Sequence, residues 1–380
     1  MEEISVNVEV KPQKYSIFIG HKILKDIALF IKKEKYAHRY AIITDSNVKP
    51  LYALSFFKYL QDLGLDTLLL NFPAGEKYKT RETKTFLDDA LLNNHFGRDG
   101  AIVALGGGVV GDVAGFVAAT YMRGIPYIQI PTTVISQADS SIGGKTAVDY
   151  PQGKNLIGSF HHPKSVFIDT NTLLTLDNRN YRSGLIEIIK HGLIRDSKLF
   201  EFFTQNKDYI LNTNYKEYPE IITKLMRMNC AIKNDIVSKD TRERNLRKIL
   251  NYGHTVGHAI EHLSGYSLLH GEAVSIGIAV EAYFSYKLGF CSKEDYLKQI
   301  DLIKQIKLPS CIPDGIEPGD IIEKMFIDKK ARGGKPEFVI IEKIGKTKLF
   351  KGENTTEAID IEKIKSMLSY LIRNKDTQAK

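Results

Sequence analysis

The first 170 residues alternate short apolar runs, rich in β-branched side chains, with stretches that have helical spacing. Five runs have the character of buried strands: residues 40–44, 68–70, 101–105, 127–130 and 165–168. Helix-like stretches such as residues 48–63 and 79–93 lie between them. Strands separated by helices of roughly 10–15 residues are typical of βαβ units, so we predict an α/β fold built on a parallel sheet.

The character of the chain changes after about residue 170. Five stretches have helical periodicity: residues 183–203, 217–237, 249–263, 271–288 and 293–306. Nearer the end, residues 337–341 and 346–351 flank Ile344-Gly345 and predict a small hairpin, and the polar residues 374–380 are expected to fray. Since 380 residues exceed one ordinary core, we predict an α/β domain over residues 1–170 and a mainly α-helical domain over residues 171–380.

Composition narrows the class of partner. The net charge is +8, from 53 Lys and Arg against 45 Asp and Glu, which suits nucleic acid, an anionic membrane or small phosphorylated substrates. The densest basic cluster, residues 242–248, contains an acid and has no accompanying zinc-finger or aromatic pattern, so nucleic acid is not expected. The most apolar long window, residues 101–120, contains five glycines and Asp112, so no membrane span is expected.

The cysteines and the amino-terminal residues indicate the cellular compartment in which the protein is expected. Cys230, Cys291 and Cys311 lie far apart, which argues against a disulfide framework and against a thiolate metal site. The first residues, Met-Glu-Glu-Ile-Ser, do not form a basic segment followed by an apolar one. We therefore expect a cytoplasmic protein without a signal peptide.

A glycine-rich segment, Gly106-Gly-Gly-Val-Val-Gly-Asp112, follows a predicted strand and opens a predicted helix. Its glycines satisfy GxGxxG, a tight turn that lets backbone N–H groups approach a pyrophosphate. The acid expected about twenty residues later is missing, because the next strand is Tyr127-Ile-Gln-Ile130, and Asp45 instead follows an earlier strand. The segment therefore fits either a plain glycine turn or a dinucleotide bound in a non-standard way.

Histidine and glutamate recur at helical spacing in the second half. His254, His258 and His262 are spaced i, i+4 and i+8, and His270 opens the next predicted helix. Such spacing suits a divalent metal with open positions for substrate oxygens, most commonly zinc. The pattern leaves six possible ligands: Glu187, His191, His254, His258, His262 and His270.

Two further segments, residues 139–146 and 153–158, combine glycines with a single lysine each, as in loops that bind phosphate. Gly143-Gly-Lys-Thr146 resembles the end of a Walker A loop, but Asp139 stands where that loop has its first glycine, which disfavours a nucleotide triphosphatase. Additional cations occur elsewhere in the chain, at Arg123, Lys233, Arg247 and the Lys329-Lys330 pair.

Taken together, these motifs resemble the 3-dehydroquinate synthase family, in its order and at its approximate spacings over residues 74–330. The segments that carry the resemblance are Gly106–Asp112, Tyr121-Met-Arg-Gly124, Pro131-Thr-Thr133, Asp139–Thr146, Gly153–Gly158, Glu187-Ile-Ile-Lys190, Asn251–His258 and His270-Gly-Glu272.

The resemblance implies a Rossmann-like dinucleotide-binding domain joined to a helical metal-binding domain, with the active site in the cleft between them. It implies two cofactors, NAD and one divalent metal ion, Zn or Co. The metal ligands would be Glu187, His254 and His270, with His258 transferring protons beside them. The residues implied to contact NAD are Asp45, Glu76, Lys79, Gly107, Gly108, Val109, Gly111, Asp112, Thr132, Thr133 and Lys154.

The resemblance also implies a reaction. The substrate would be 3-deoxy-D-arabino-heptulosonate 7-phosphate, converted to 3-dehydroquinate and phosphate in the shikimate pathway of aromatic amino acid biosynthesis. Transient oxidation by NAD would permit phosphate elimination, and reduction and an intramolecular aldol step would follow. The residues implied to meet substrate are Arg123, Asp139, Lys145, Asn155, Lys190, Lys233, Arg247, Asn251 and one of Lys329 and Lys330.

Three alternatives remain. Another sugar phosphate cyclase, such as 2-deoxy-scyllo-inosose synthase, would act on a substrate without a carboxylate. A metal-dependent polyol dehydrogenase would release NADH, but it would not need the surplus of cations. A non-catalytic nucleotide-binding module would have no use for an open metal site. The expected partners are the small phosphorylated keto acid and a second copy of the chain in a homodimer.

Overall fold

The computed structural model describes residues 14–212, 217–330 and 336–374, with side chains throughout except at 327–330. The chain forms two compact units. The first comprises the described residues up to Phe18, with Ile23–Pro131 and Gly144–Ile168; the second comprises Ile19–Lys22, Thr132–Gly143 and the described residues from Asp169 onwards. The division into domains at residue 170 stays a prediction.

A six-stranded sheet organises the first half of the chain. Its strands are β1 (Ser16–Gly20), β2 (Arg39–Asp45), β3 (Asp66–Phe72), β4 (Gly100–Gly106), β5 (Tyr127–Pro131) and β8 (Ser165–Asp169). Their order is β1-β8-β5-β4-β2-β3, and the pairs from β8 to β3 are parallel. Each of the five predicted strands lies within an observed one, so the prediction of a parallel α/β sheet is confirmed.

Both faces of this sheet are buried, as the continuous apolar runs predict. Along β2, Tyr40 and Ile42 pack with residues of α1 (Leu24–Glu34) and α2 (Leu54–Asp62). The alternate residues Ala41 and Ile43 pack with α3 (Arg81–Asn93) and α4 (Gly108–Thr120). An antiparallel pair that the sequence did not predict, β6 (Lys145–Tyr150) and β7 (Gly153–Phe160), completes the unit.

The second unit is mainly helical, as predicted. Its helices are α5 (Asn178–Arg195), α6 (Ser197–Gln205), α7 (Lys207–Leu211), α8 (Pro219–Lys239), α9 (His254–Leu263), α10 (His270–Lys287), α11 (Lys293–Gln305), α12 (Pro318–Lys330) and α13 (Ile361–Arg373). Helix α10 is buried from Gly271 to Ser285, which makes it the central helix of this unit. The predicted two-part architecture, α/β followed by mainly α, is confirmed.

Three predicted elements differ in their bounds or pairing from the elements observed in the structure. The helix predicted over 183–203 is broken at Asp196, whose side chain accepts from the Lys198 N–H and caps α6. The helix predicted over 249–263 begins instead as a 3₁₀ turn, Leu246–Asn251, before α9. The predicted hairpin joins only β10 (Ile341–Lys343) and β11 (Lys346–Thr347), because β9 (Glu337–Phe338) pairs with β12 (Glu357–Ala358).

Residues 375–380, most of the segment expected to fray, lie outside the described residues. Among the helices that the structure describes, none has the length and apolarity needed to cross a membrane.

Candidate active site

The glycine turn, residues 106–112, lies where β4 meets α4. Gly106 ends the strand, and Gly107, in an extended conformation, precedes the helix. A Cβ added at Gly106 would lie 2.5 Å from Val110 Cγ2, so a side chain there would overlap the first turn of α4. The first N–H groups of a helix have no partner within it and carry partial positive charge. The turn therefore presents a site suited to a phosphate group.

A buried lysine connects this turn to the β6–β7 hairpin. Lys79 lies 2.6 Å from Asp112 and donates a hydrogen bond to the side-chain oxygen of Asn155. The Asn155 N–H donates to Asp149 Oδ1 at 2.8 Å. Burial alone would lower the pKa of Lys79, but Asp112 and Glu76 outweigh burial and raise it. Lys79 is therefore charged, and it brings three predicted site residues together.

Other residues predicted to bind NAD or substrate lie near the ends of strands and helices. The Asp45 carboxylate, at the end of β2, accepts from the Val48 N–H at 2.9 Å. The Lys154 ammonium lies 3.8 Å from the Glu76 carboxylate. Arg123 follows α4 with a left-handed backbone, φ 68°, and Lys145 begins β6. Since Asp45 and Gly106 end neighbouring parallel strands, both lie at the carboxyl edge of the sheet, where such folds bind ligands.

In the second unit, Thr132 is buried and Thr133 caps a short helical turn. The Thr133 N–H donates to Ser136 Oγ at 3.0 Å, and the Ser136 N–H donates to Thr133 Oγ1 at 3.2 Å. This reciprocal pair begins the turn Ser136–Ser140, which carries Asp139. The predicted NAD and substrate residues of this segment therefore belong to one rigid local structure.

A cluster of one carboxylate and three imidazoles, the metal cluster (Glu187, His254, His258 and His270), forms where α5, α9 and α10 meet. Glu187 Oε1 lies 3.6 Å from His254 Nε2 and 3.7 Å from His270 Nε2. Ring nitrogens of the three histidines lie within 4.8 Å of one another. Zinc ligands about 2.0–2.1 Å from the metal are about 3.4 Å apart in a tetrahedron. The spacing therefore fits a single ion.

The Glu187 carboxylate is buried and only half satisfied. Oε2 accepts a hydrogen bond from Lys190, whereas Oε1 accepts none. A buried acceptor without a partner costs about 1–3 kcal/mol, and a metal ion would remove that cost. Burial raises the pKa of Glu187, but Lys190 and His254 outweigh burial and hold it well below its usual value. The residue is therefore an anionic ligand candidate.

The two flanking histidines have different surroundings. Burial and Lys190 hold the pKa of His254 well below its usual value, and its Nδ1 lies 3.2 Å from the Tyr252 carbonyl oxygen. Burial alone would lower the pKa of His270, but the nearby carboxylates of Glu187 and Glu261 outweigh it and raise the pKa to about 9. Because a metal binds the neutral ring, it would displace a proton at His270.

The remaining two of the six ligand candidates lie in other environments. His262 is exposed, and its ring lies 5.7 Å from that of Tyr266. His191 is buried, and its Nδ1 lies 2.6 Å from Asn229 Oδ1. His191 also groups with Asp139 and Glu187 within 4.8 Å, but burial and Lys190 lower its pKa to about 4. The choice of ligands from the sequence stays a prediction.

Sequence reasoning did not single out Asn229 or Glu261. Asn229 Nδ2 donates to the Ala138 carbonyl at 2.7 Å, so this side chain links His191 to the segment that carries Asp139. Glu261 is buried beside His270. The sequence did contain a signal for Glu261: it is an acid seven residues after His254, on the same predicted helical face.

Predicted substrate-binding cations lie near the metal cluster within the second unit. Lys233 is buried, and it donates to Asp139 Oδ1 at 2.6 Å and to the Asp139 carbonyl oxygen. Burial raises the pKa of Asp139, but Lys233 and Lys190 outweigh burial and hold it well below its usual value. Asp139 is therefore an ionised partner of two lysines.

Arg247 is fixed by backbone carbonyls. Its Nη1 donates to Thr241 O at 2.6 Å and to Gly143 O at 3.2 Å. Gly143 has φ +108°, and a Cβ there would collide with the guanidinium of Arg247. This position therefore requires both the conformation and the small size of glycine.

The remaining predicted substrate-binding residues are Asn251 and the lysine pair. Asn251 donates to Glu243 Oε1 at 2.8 Å. The side chains of Lys329 and Lys330 lie outside the described residues.

Sequence comparison identifies the family. The family models described as 3-dehydroquinate synthase N-terminal and 3-dehydroquinate synthase C-terminal match residues 69–183 and 184–331. The chain belongs to the 3-dehydroquinate synthase family. A 3-dehydroquinate synthase from Caldanaerobacter subterraneus subsp. tengcongensis is 46% identical over 343 residues, which cover 90% of this chain and 95% of the relative.

Solved structures of related enzymes share the fold. A 2-epi-5-epi-valiolone synthase from Streptomyces hygroscopicus subsp. jinggangensis, solved with NAD+ and Zn2+, is 25% identical, with TM-score 0.86 and coverage of 97% of this chain and 100% of that one. A 2-deoxy-scyllo-inosose synthase complexed with carbaglucose-6-phosphate, NAD+ and Co2+ is 27% identical, with TM-score 0.82 and coverage of 93% and 96%. Membership of the family makes the chain an enzyme of the phosphate-eliminating lyase class.

Proposed function

We propose that this protein is a 3-dehydroquinate synthase that converts 3-deoxy-D-arabino-heptulosonate 7-phosphate to 3-dehydroquinate and phosphate. The observation that carries the proposal is the buried Glu187 Oε1, which accepts no hydrogen bond and faces two imidazole nitrogens. The proposal is further supported by 46% identity to a 3-dehydroquinate synthase over 90% of the chain. The solved 2-deoxy-scyllo-inosose synthase is less similar, at 27% identity.

Two cofactors belong to this proposal, NAD and one divalent metal ion, Zn or Co. NAD supplies a reversible hydride acceptor, and the metal supplies a Lewis acid for substrate oxygens. The glycine turn would bind the pyrophosphate through N–H groups at the start of α4. Asp45, at the end of β2, would accept hydrogen bonds from ribose hydroxyls.

Within the metal cluster, each side chain has a separate task. Glu187, His254 and His270 would hold the ion, and Lys190 would keep Glu187 ionised through its hydrogen bond to Oε2. His258 is the exposed member of the cluster. An exposed imidazole beside the ion can exchange protons with substrate, which is the work of a general acid or base.

The cations of the second unit would bind the anionic groups of substrate. Lys190 and Lys233 pair with the carboxylates of Glu187 and Asp139, whereas Arg247 donates to two neutral backbone carbonyls. The guanidinium of Arg247 therefore suits the substrate's carboxylate, because a guanidinium binds carboxylate through two parallel hydrogen bonds. Glucose 6-phosphate lacks that carboxylate and should not react.

The test is incubation of the purified, metal-loaded protein with the heptulosonate phosphate and less than one equivalent of NAD. We expect release of many equivalents of phosphate, a product with the mass of 3-dehydroquinate, and no net rise in NADH absorbance. The recycling of NAD within each turnover is the reason for the flat absorbance. Glucose 6-phosphate in the same assay should release no phosphate.

Two of the three alternatives predict other results in this assay. NADH formed in proportion to product would identify a polyol dehydrogenase. Turnover of glucose 6-phosphate comparable with that of the heptulosonate phosphate would leave only the broader class of sugar phosphate cyclases.

A further inference from the structure

Glu261 is a buried acid on the helix that carries two histidines of the metal cluster. His254, His258 and Glu261 are spaced i, i+4 and i+7 along α9, so they share one face. The Glu261 side chain is itself buried, with 5% of the residue exposed. A carboxylate in such surroundings is stable only with charged or hydrogen-bonding partners.

One partner of Glu261 is the imidazole of His270. Glu261 Oε2 lies 3.4 Å from His270 Nδ1. The other ring nitrogen, Nε2, lies 3.7 Å from Glu187 Oε1. The imidazole is therefore between two carboxylates from two different helices, with one carboxylate at each nitrogen.

His254 gives a comparison within the same cluster. Its Nδ1 faces a backbone carbonyl, that of Tyr252, at 3.2 Å. A neutral carbonyl can orient a ring, but a carboxylate also increases the electron density that the ring offers to a metal. The Nδ1 atom of His270 therefore faces a charged carboxylate, whereas the Nδ1 atom of His254 faces a neutral carbonyl.

We propose that Glu261 is a positioning residue for the metal cluster: through Nδ1 it orients the His270 ring, directs Nε2 toward the ion and strengthens that nitrogen as a ligand. The inference rests on the proposed metal site and adds to it a carboxylate that does not touch the ion. Glu261 thus sets how tightly the ion is held.

The test measures metal affinity in the full-length protein, first stripped of metal and then titrated with Zn2+ in competition with a chromophoric chelator. Glu261→Ala should weaken Zn2+ binding roughly 10–100-fold, the usual effect of losing a carboxylate behind a ligand histidine. Glu261→Gln should have a smaller effect, because its amide oxygen can still accept from Nδ1 while the negative charge is lost.

Glu272→Gln is the matched control. Glu272 is a buried acid two residues from His270, but its carboxylate pairs with Arg179 and caps α10 at the Leu269 N–H. This substitution removes one negative charge from the first turn of α10, the helix that begins with His270, without changing the contact at Nδ1. Zn2+ affinity should stay at the wild-type value.

A second measurement distinguishes a changed orientation of the His270 ligand from a general loss of protein stability. With Co2+ bound, the visible absorption bands of Glu261→Gln should shift relative to wild type, while its metal-free form unfolds at the wild-type temperature. Wild-type Zn2+ affinity and unchanged Co2+ bands in Glu261→Gln and Glu261→Ala would overturn the inference. Failure of the wild type itself to bind Zn2+ would instead overturn the proposed metal site.

Discussion

The glycine turn and the metal cluster are two ways of building a binding site. Four of the seven residues of the turn are glycines, and its geometry depends on the space that they leave, as at Gly106, where a Cβ would meet Val110. The metal cluster consists of polar side chains, and the charge of its buried carboxylate, Glu187, is balanced by Lys190. The first site should fail when atoms are added, and the second when atoms are removed.

The two sites also differ in what stabilises them. The turn follows β4, a strand buried along its whole length, so the sheet fixes the backbone before any ligand binds. The metal cluster contains a carboxylate oxygen without a hydrogen bond, a local cost that a bound cation would offset. Metal binding should therefore stabilise the second unit, whereas the turn proposed to bind NAD should already be formed in the absence of NAD.

The largest expected effect is that of Glu187→Ala. The substitution removes a proposed metal ligand and leaves the ammonium of Lys190 buried without its carboxylate. Breaking a buried ion pair from one side costs about 3–5 kcal/mol. We expect loss of bound metal and activity, and a decrease of that size in the free energy of unfolding, measured with urea in the presence of a chelator.

A double variant is the control for this substitution. Glu187→Leu combined with Lys190→Met removes both charges, and buried pairs replaced by apolar side chains often keep their stability. The double variant should regain most of the lost stability and still bind no metal. If Glu187→Ala were as stable as wild type, charge pairing would not be what holds the metal cluster together.

Replacement of His258 by alanine separates proton transfer from metal binding. We expect metal content near wild type and a rate reduced roughly 10²–10⁴-fold, the range for loss of a general acid or base. His254→Ala and His270→Ala should lose the metal as well as activity. Metal analysis of the three purified variants would contradict the ligand assignment if His258→Ala lost the ion and His254→Ala kept it.

The comparison also explains what the sequence could predict. The strand, glycine turn and helix succeed one another within residues 100–120, so local pattern was sufficient to predict the turn. Similarly, the i, i+4 spacing of His254 and His258 predicted one helical face. Local order along the chain carries this kind of information, because neighbours in sequence are neighbours in space.

Other features depend on residues distant in sequence. Lys79 reaches Asn155 across 76 positions, and Asn229 reaches Ala138 across 91. The antiparallel pair β6–β7 was missed because its glycines and polar residues resemble a loop. The break at Asp196 was missed because apolar periodicity continues from α5 into α6, and only the capping hydrogen bond marks the boundary.

A smaller effect is expected in the glycine turn. Gly106→Ala should displace the first turn of α4, because the new methyl group overlaps Val110. Overpacking of this kind costs about 1–3 kcal/mol. We expect weaker NAD binding by calorimetry with unchanged Zn2+ content. Gly319→Ala, which adds a methyl group where no atom lies within 4 Å, is the control and should change neither. Loss of Zn2+ in Gly106→Ala would contradict the separation of the two sites.

The smallest effect should come from an ion pair that is partly exposed. Arg179 Nε lies 2.7 Å from Glu272 Oε1, and the arginine side chain is 57% exposed, so solvent screens the pair. Arg179→Gln should therefore lower the free energy of unfolding at pH 7 by at most about 1 kcal/mol, far less than Glu187→Ala. Urea titrations of wild type and variant provide the measurement.

The pH dependence of the difference in unfolding free energy between wild type and Arg179→Gln identifies the origin of that difference. Burial raises the pKa of Glu272, but the hydrogen bond from Arg179 outweighs burial and lowers it below its ordinary value of 4.5. A carboxyl group with a depressed pKa in the folded state adds stability above the unfolded-state pKa and loses it as the pH falls through the folded-state pKa. The difference between wild type and Arg179→Gln should therefore be constant from pH 7 to about pH 5 and shrink below about pH 4.5. A difference that persisted unchanged at lower pH would mean that Arg179 stabilises α10 through its contact with the Ser267 carbonyl oxygen rather than through the charge of Glu272.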